Sequence, residues 1–260
     1  LINKLLFFVI ILFLYRKKLI SDRYFLLIIF LPSSLLISTL ALKDMIVFFL
    51  MFFSMYYFLK KYYFLSFIPL ILIYFIKFQN SFFMLVFYFN YIFFFLRISF
   101  IYKLLCVFFI FIIFYFNSNI IIDYLNMYNK GFFFSSFSNL PTSGELRNDY
   151  YYDNIRIKNL YDFLYKFILR SFAFFIAPGI PYKLIHYLQI VENIIVYFCF
   201  LFIIFFAIKN SKIYLIFFWL LSLFIIFGLY GLSVYNYGTI VRYRYPFVLL
   251  FLLFGYIQIF

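Results

Sequence analysis

Residues 213–235 read IYLIFFWLLSLFIIFGLYGLSVY, a run without one charged side chain. About 20 apolar residues, at about 1.5 Å of rise per residue, are enough for a helix to cross the hydrocarbon core of a bilayer. The apolar residues are continuous, whereas the strands of a membrane barrel alternate apolar and polar side chains. The run therefore predicts a membrane-spanning helix.

The composition of the whole chain points the same way. Hydrophobic residues make up 69% of the 260 residues and charged residues only 12%, against about 25% charged in soluble domains. A soluble fold of this length could not bury so much apolar surface. We therefore predict an all-α, polytopic helical membrane protein. Eight or nine spans are expected, on the apolar runs 1–15, 24–42, 45–59, 62–76, 81–96, 104–116, 187–208, 213–235 and 245–260.

The net charge of +14 predicts an orientation in the membrane. In a soluble protein it would suggest nucleic acid, but most bases here sit in short loops between apolar runs, so no nucleic-acid partner is expected. If the spans alternate and the loop 16–23 is cytoplasmic, the short loops on that side hold ten Lys and Arg and a single acid, Asp22. This is the positive-inside pattern. We expect a multi-pass protein of the cytoplasmic (inner) membrane.

The apolar runs divide the chain into three parts. Membrane helices are expected over 1–116 and again over 187–260, and the polar interval 117–186 is expected to be extracytoplasmic. Within that interval, apolar and charged residues recur at helical spacing over about 158–176, which predicts an amphipathic helix on the membrane surface. Both ends of the chain lie inside apolar runs, so a longer protein is expected.

The sequence contains no known metal or nucleotide motif. It has one His, no phosphate-binding Gly-rich loop, and two Cys (Cys106 and Cys199) that each lie inside an apolar run. These residues do not form a metal-ligand spacing. No metal and no cofactor are expected.

Residues 236–247, NYGTIVRYRYPF, join two expected spans and contain two arginines. Pro246 favours an extended Tyr245, and in an extended turn Arg242 and Arg244 point to the same side. Two guanidiniums there could bind a phosphate or pyrophosphate. The alternative is a pair of interfacial anchors beside tyrosines.

Two carboxylates are candidate bases. Asp44, next to Lys43, falls at the outer end of the run 24–42, where it could act on an acceptor hydroxyl or simply cap a helix. Glu192 lies inside the run 187–208, and ionisable groups within spans usually face the bundle interior. Glu192 with Asn193 could pair with an arginine such as Arg242 or Arg244, or act on substrate. His186 lies in the same outer layer and is also compatible with an interfacial position.

Three short motifs carry a family resemblance. Pro32-Ser33-Ser34 with Leu42-Lys43-Asp44, then Val191-Glu192-Asn193, then the stretch 236–247 resemble multi-span proteins of bacterial surface-polysaccharide gene clusters. Those proteins are described as O-antigen (oligosaccharide repeat-unit) polymerase-like, or as relatives of membrane glycosyltransferases with polyprenyl-linked donors.

The resemblance implies glycosyl transfer on the outer face of the membrane, from a polyprenyl pyrophosphate to a lipid-linked repeat unit. It gives Arg242 and Arg244 the pyrophosphate and Asp44 or Glu192 the acceptor proton, with Lys43, Asn236 and His186 in support. The implied partners are a polyprenyl-pyrophosphate-linked oligosaccharide, membrane lipid and other polysaccharide-assembly proteins. The alternatives are a non-catalytic structural subunit of a membrane complex and a lipid-linked sugar transporter.

Overall fold

The structure, a computed structural model, describes residues 2–30, 42–95, 99–137, 156–176, 184–233 and 237–259. Within these ranges every regular element is a helix, which confirms the all-α prediction for this part of the chain. A π-helical turn, Phe251–Gly255, joins the last two helices. The helices are α1 (Ile2–Arg16), α2 (Asp22–Phe30), α3 (Leu42–Leu59), α4 (Tyr63–Phe95), α5 (Phe100–Phe116), α6 (Ser118–Phe137), α7 (Leu160–Ile176), α8 (Leu184–Lys209), α9 (Ile213–Gly231), α10 (Tyr237–Leu250) and α11 (Tyr256–Ile259).

Several of the described helices are suited to a membrane. By length and hydropathy, three could cross it: Tyr63–Phe95, Ile190–Lys209 and Ile213–Gly231. A fourth crossing results if α5 and the first part of α6, which meet at 62°, form one broken span. These helices support a membrane protein. The expected total of eight or nine spans stays a prediction.

Helix α4 is not straight, because the chain reverses at Lys77. The backbone of Lys77 is non-helical (φ −154°, ψ 82°). The Ser54 hydroxyl of α3 donates to the Ser66 carbonyl at 2.8 Å and also hydrogen-bonds the Tyr88 hydroxyl. In a straight helix those two residues of α4 would lie about 33 Å apart. The limbs 63–76 and 78–95 therefore run antiparallel.

Further contacts confirm this reversal. The Ser81 hydroxyl donates to the Leu70 carbonyl at 3.2 Å, and the Phe58 ring lies 5.5 Å from the ring of Tyr63 and 5.3 Å from that of Tyr91. The two limbs correspond to the apolar runs 62–76 and 81–96, which the sequence separates. Their junction is the single basic residue between them.

The turns around Ser21 and Lys212 lie together with the last helix at one end of the bundle, which we call the basic end. The Tyr256 hydroxyl donates to Ser21, and the Lys212 ammonium donates to the Gln258 and Ile259 carbonyls at 2.9 and 3.0 Å. Asp22 is the only described acid there. The described bases of this end are Arg16, Lys17, Lys18, Arg23, Lys60, Lys61, Lys103, Lys209 and Lys212.

The opposite end holds the start of α3, the α4 reversal, the end of α9 and the starts of α8 and α10. Tyr230 at the end of α9 bonds Asn80, just past the reversal, and Tyr243 near the start of α10 lies over Lys77. The turns thus segregate to two ends in the order that the alternating spans predict. Which end faces the cytoplasm stays a prediction.

The helix expected over about 158–176 is present as α7, and one narrow side of it packs on α9. Ser171 and Phe174 are buried, and the Ser171 hydroxyl donates to the Phe224 carbonyl at 3.1 Å. A Cβ on Gly231 would lie 2.5 Å from Cβ of Arg170, and one on Gly228 would lie 2.4 Å from the ring of Phe167. The two glycines therefore allow this close approach, as small residues do between membrane helices. The apolar residues that predicted an amphipathic helix, Tyr161, Leu164, Tyr165 and Ile168, stay exposed, so the surface position of α7 stays a prediction.

We expect Gly231→Ala to lower the free energy of unfolding by about 2 kcal/mol, because overpacking outweighs the gain of about 1 kcal/mol in helix propensity. The matched control is Gly255→Ala, whose Cβ would meet only the Phe251 ring at 3.2 Å. That variant should be close to neutral. The measurement is denaturant titration in micelles, and equal effects of the two variants would contradict the packing described for α7 and α9.

The orientation is testable with single cysteines in a background where Cys106 and Cys199 are replaced by Ser. We expect Lys60→Cys, at the basic end, to react with an impermeant maleimide only from the cytoplasmic side. Asn119→Cys, beyond α5 at the opposite end, should react only from the other side. Membrane vesicles of known orientation provide the assay, and the reverse pattern would invert the topology.

Candidate functional site

Ionisable and amide side chains are buried together at the end opposite the basic end. We call this set, Asp44, Lys77, Glu192, Asn193 and Arg244, the polar layer. Asp44, Glu192 and Arg244 expose only 8%, 3% and 3% of their surface. Ionisable groups buried in a helical membrane protein are costly, and they usually mark a functional or pairing site.

The first part of the polar layer is a buried ion pair. The Lys77 ammonium lies 3.3 Å from the Asp44 carboxylate and 4.0 Å from the centre of the Tyr243 ring. The reversal of α4 carries Lys77 to the end of the bundle where α3 begins, so the two residues meet across 33 positions of sequence. A carboxylate on one side and an aromatic face on the other both stabilise the cation.

A second tier of polar contacts lies below this pair. The ring of Tyr243 stacks on that of Tyr230 at 5.0 Å, and the Tyr230 hydroxyl donates to Oδ1 of Asn80 at 3.0 Å. The Asn80 amide contacts the sulfur of Met51 at 3.3 Å. These contacts join α3, α4, α9 and α10, so a displacement of Lys77 would alter the packing of four helices.

Arg244 caps the end of α7. Its guanidinium donates to the carbonyls of Phe174 and Phe175 at 3.2 and 2.9 Å, and to Oδ1 of Asn193 at 2.5 Å. The last carbonyls of a helix lack intrahelical partners and carry the negative end of its dipole, so a cation there is doubly favourable. The Asn193 amide donates in turn to the Ile176 carbonyl at 3.4 Å. Arg244 thereby joins α7, α8 and α10.

Glu192 lies beside this cap. Its carboxylate accepts a hydrogen bond from the Tyr245 hydroxyl, and the Tyr245 ring lies 5.4 Å from the guanidinium carbon of Arg244. A cavity of about 10 Å³ borders Asn193, Arg244 and Tyr245. That is about the space of one water molecule. In the described residues, this part of the layer holds a solvent-sized void rather than a substrate-sized one.

The structure brings Glu192 and Arg244 together through Tyr245 and Asn193. Asp44 lies with Lys77 and Tyr243, the residue before Arg244. Asp44, Glu192 and Arg244 share the polar layer, whereas Lys43 is exposed at the start of α3. Asn236 and the side chains of His186 and Arg242 lie outside the described residues. Asp44 has Lys77, not its neighbour Lys43, as its described ion-pair partner.

The predicted arrangement of the two arginines is wrong. Tyr237–Leu250 is helical and contains Pro246, so positions 242 and 244 lie about 200° apart around the helix axis. Pro246 was expected to extend the chain before it. Packed membrane helices tolerate proline because neighbouring groups satisfy the freed backbone. A phosphate clamp made of both arginines on one face is therefore not the observed backbone geometry.

Asn193, which the sequence analysis places with Glu192 as a possible partner of an arginine, accepts a hydrogen bond from Arg244. Lys77 and Tyr245 were not predicted. The signal for Lys77 was present, since it is the only charged residue between Lys61 and Arg97. Tyr245 directly adjoins a predicted site residue, but nothing local distinguishes it from an interfacial tyrosine. Their roles depend on contacts between helices.

Comparison with known proteins does not indicate a function for this chain. The chain matches no protein-family model, no curated protein and no solved structure. Over the part of the chain that the structure describes, His, Cys, Asp and Glu do not form a cluster of three or more that could hold a metal.

We expect Arg244→Met to lower the free energy of unfolding by about 3 kcal/mol, because it leaves two carbonyls and an amide oxygen buried without their donor. Arg244→Lys should recover only part of this loss, since one ammonium cannot reproduce the planar fork. Denaturant titration in micelles measures both. Arg156→Met, at an exposed arginine, is the control, and an equal loss there would contradict the capping role.

Proposed function

We propose that this protein acts in surface-polysaccharide assembly in the cytoplasmic membrane, transferring a glycan from a polyprenyl pyrophosphate at the outer face. The observation that supports this most is the buried polar layer opposite the basic end. If the basic end is cytoplasmic, the layer lies at the outer face, where the lipid-linked donor of the resembled family is used.

In the proposed reaction, the acceptor hydroxyl oxygen attacks the anomeric carbon of the donor. The bond between that carbon and the pyrophosphate oxygen breaks, and polyprenyl pyrophosphate leaves with both bonding electrons. The acceptor proton passes to a carboxylate, which we assign to Asp44, with Glu192 as the second candidate. General-base assistance of this kind contributes about 10²- to 10⁴-fold to rate.

In this proposal the Asp44–Lys77 pair couples donor binding to activation of the base. Lys77 lies 3.3 Å from Asp44, and an arriving pyrophosphate would compete with the carboxylate for the same ammonium. Binding of the donor would thus release Asp44 to accept a proton while Lys77 stabilises the charge on the leaving group. Arg242 is the second cation in this assignment. Arg244 holds α7 and Asn193 in place, and we give it a positioning role.

A second candidate, a non-catalytic structural subunit, is favoured by a different observation. Asp44, Glu192 and Arg244 each have partners within the chain, and the cavity beside Arg244 is only about 10 Å³. In that case the polar layer would serve only to fix the helices relative to one another. The two candidates differ in whether the unaltered protein elongates a lipid-linked glycan and in whether that elongation depends on Asp44.

The test is elongation of a polyprenyl-pyrophosphate-linked oligosaccharide by the purified protein in liposomes, followed by mass spectrometry. We expect Asp44→Asn to reduce turnover at least 100-fold, because the base is lost while the side-chain volume is kept. Asp162→Asn is the matched control, since Asp162 also pairs with a lysine, Lys166 at 2.9 Å, but lies outside the polar layer.

Two results would contradict the proposal. One is an absence of elongation by the unaltered protein with correctly folded material, which would favour the structural subunit. The other is equal turnover of Asp44→Asn and Asp162→Asn, which would remove Asp44 from the chemistry.

A further inference from the structure

A polar cleft of about 710 Å³ lies apart from the polar layer, between α6 and the segment that leads into α7. Its polar walls come from Asn119, Asp123, Asn126, Arg156 and Lys158. The two cations and one carboxylate give these walls a formal charge of +1. Over the described part of the chain, neither cationic head group lies within 4 Å of a carboxylate oxygen. The described walls of the cleft thus carry a net positive charge.

The segment that supplies the cations is fixed in place by several hydrogen bonds. The Asn126 side chain donates to the Ile157 carbonyl at 2.8 Å and accepts from its N–H at 2.9 Å. The Lys166 ammonium donates to the Arg156 carbonyl at 2.6 Å, and the N–H of Lys158 donates to Asp162 at 2.9 Å. The backbone that carries Arg156 and Lys158 is therefore preorganised, which lowers the entropic cost of binding.

The carboxylate of Asp162, which accepts hydrogen bonds from the Lys158 N–H and the Lys166 ammonium, is ionised at neutral pH. Although partial burial opposes it, hydrogen bonds from Lys166 and the Lys158 backbone lower the pKa of Asp162 below its usual value. These hydrogen bonds to Asp162 are therefore at full strength above the ordinary carboxyl pKa of about 4, and they weaken as the pH falls through the lower pKa of the folded state. At neutral pH the two cations keep their positions.

The surroundings of the cleft resemble a membrane–water boundary. Helix α5, which leads into α6, exposes apolar side chains such as Phe109 and Phe116, and the two helices meet at 62°. Exposed tyrosines lie on the elements that carry the cleft, at Tyr115, Tyr124 and Tyr161. Tyrosines concentrate at the level of lipid head groups. If α5 crosses the bilayer, α6 turns toward the membrane plane and the cleft lies at that level.

We propose that this cleft binds the phosphate of an amphiphile's head group. Arg156 and Lys158 contact the phosphate oxygens, Asn119 and Asn126 border the uncharged part of the head group, and the acyl or prenyl chain lies along α5. A phospholipid and a lipid-linked sugar phosphate share this chemistry. The site does not depend on the transfer reaction proposed above, because it uses none of the residues of the polar layer.

The test is calorimetric titration of the protein in neutral-detergent micelles. The probes are glucose 1-phosphate, dihexanoylphosphatidylglycerol and, as the uncharged reference, glucose. We expect saturable binding of at least one phosphate-bearing probe and none of glucose. Tighter binding of glucose 1-phosphate identifies a sugar phosphate as the ligand, and tighter binding of the short-chain lipid identifies a phospholipid.

Variants assign the binding to the cleft. Arg156→Gln and Lys158→Gln should each weaken the phosphate probe by about tenfold, the loss of one charge-assisted contact. Lys4→Gln removes an exposed lysine from the first turn of α1 and should leave affinity unchanged. Asp123→Asn removes the one acid of the cleft and should tighten binding several-fold by relieving repulsion.

The opposite direction for Asp123→Asn makes the test independent of folding damage, which could only weaken binding. The proposal is overturned if the unaltered protein binds neither phosphate probe. It is also overturned if Arg156→Gln and Lys4→Gln bind equally, or if Asp123→Asn binds more weakly. None of these results bears on Asp44 or on glycan transfer.

Discussion

The contact of Lys77 with Asp44 and Tyr243 is the interaction on which the arrangement of the bundle depends. It sits where α4 reverses, so it fixes the end at which the limbs 63–76 and 78–95 meet α3 and α10. A buried cation without partners would be strongly destabilising, whereas a paired one is tolerated. The reversal therefore brings the pair together, and the pair compensates the charge that the reversal places inside the bundle.

Charge is distributed unequally between the two ends of the bundle. Nine described bases face one acid at the basic end, and most of them are exposed. At the other end the ionisable groups of the polar layer are largely buried and matched with carboxylate, carbonyl, amide or aromatic partners. Exposed cations suit contact with lipid head groups. Buried, partnered groups suit a role that demands fixed positions, whether that role is glycan transfer or the joining of helices.

The sequence was sufficient for most of the apolar helices and their order, but it did not predict helix α6 (Ser118–Phe137) or the contacts of the site. Apolar runs 62–76 and 81–96 predicted the two limbs of α4, because a lone lysine separates them. The partner of Asp44 could not be read from the chain, since Lys77 is 33 positions away and only the reversal brings it near. The preference for an extended residue before Pro246 was outweighed by helix packing. Because the segment is helical, Arg242 and Arg244 do not project from the same side as predicted. The close packing of α7 on α9 depends on Gly228 and Gly231. The sequence does not show which helix faces these glycines, so their role could not be predicted.

The distance between the two limbs of α4 tests the account most directly. Spin labels on cysteines at Phe64 and Phe89, both exposed, would report it after Cys106 and Cys199 are replaced by Ser. Packed helices lie about 10 Å apart, so the folded-back chain predicts a label separation below about 25 Å. A continuous helix would place the two positions about 37 Å apart. The longer distance would separate Lys77 from Asp44 and contradict the polar layer as described.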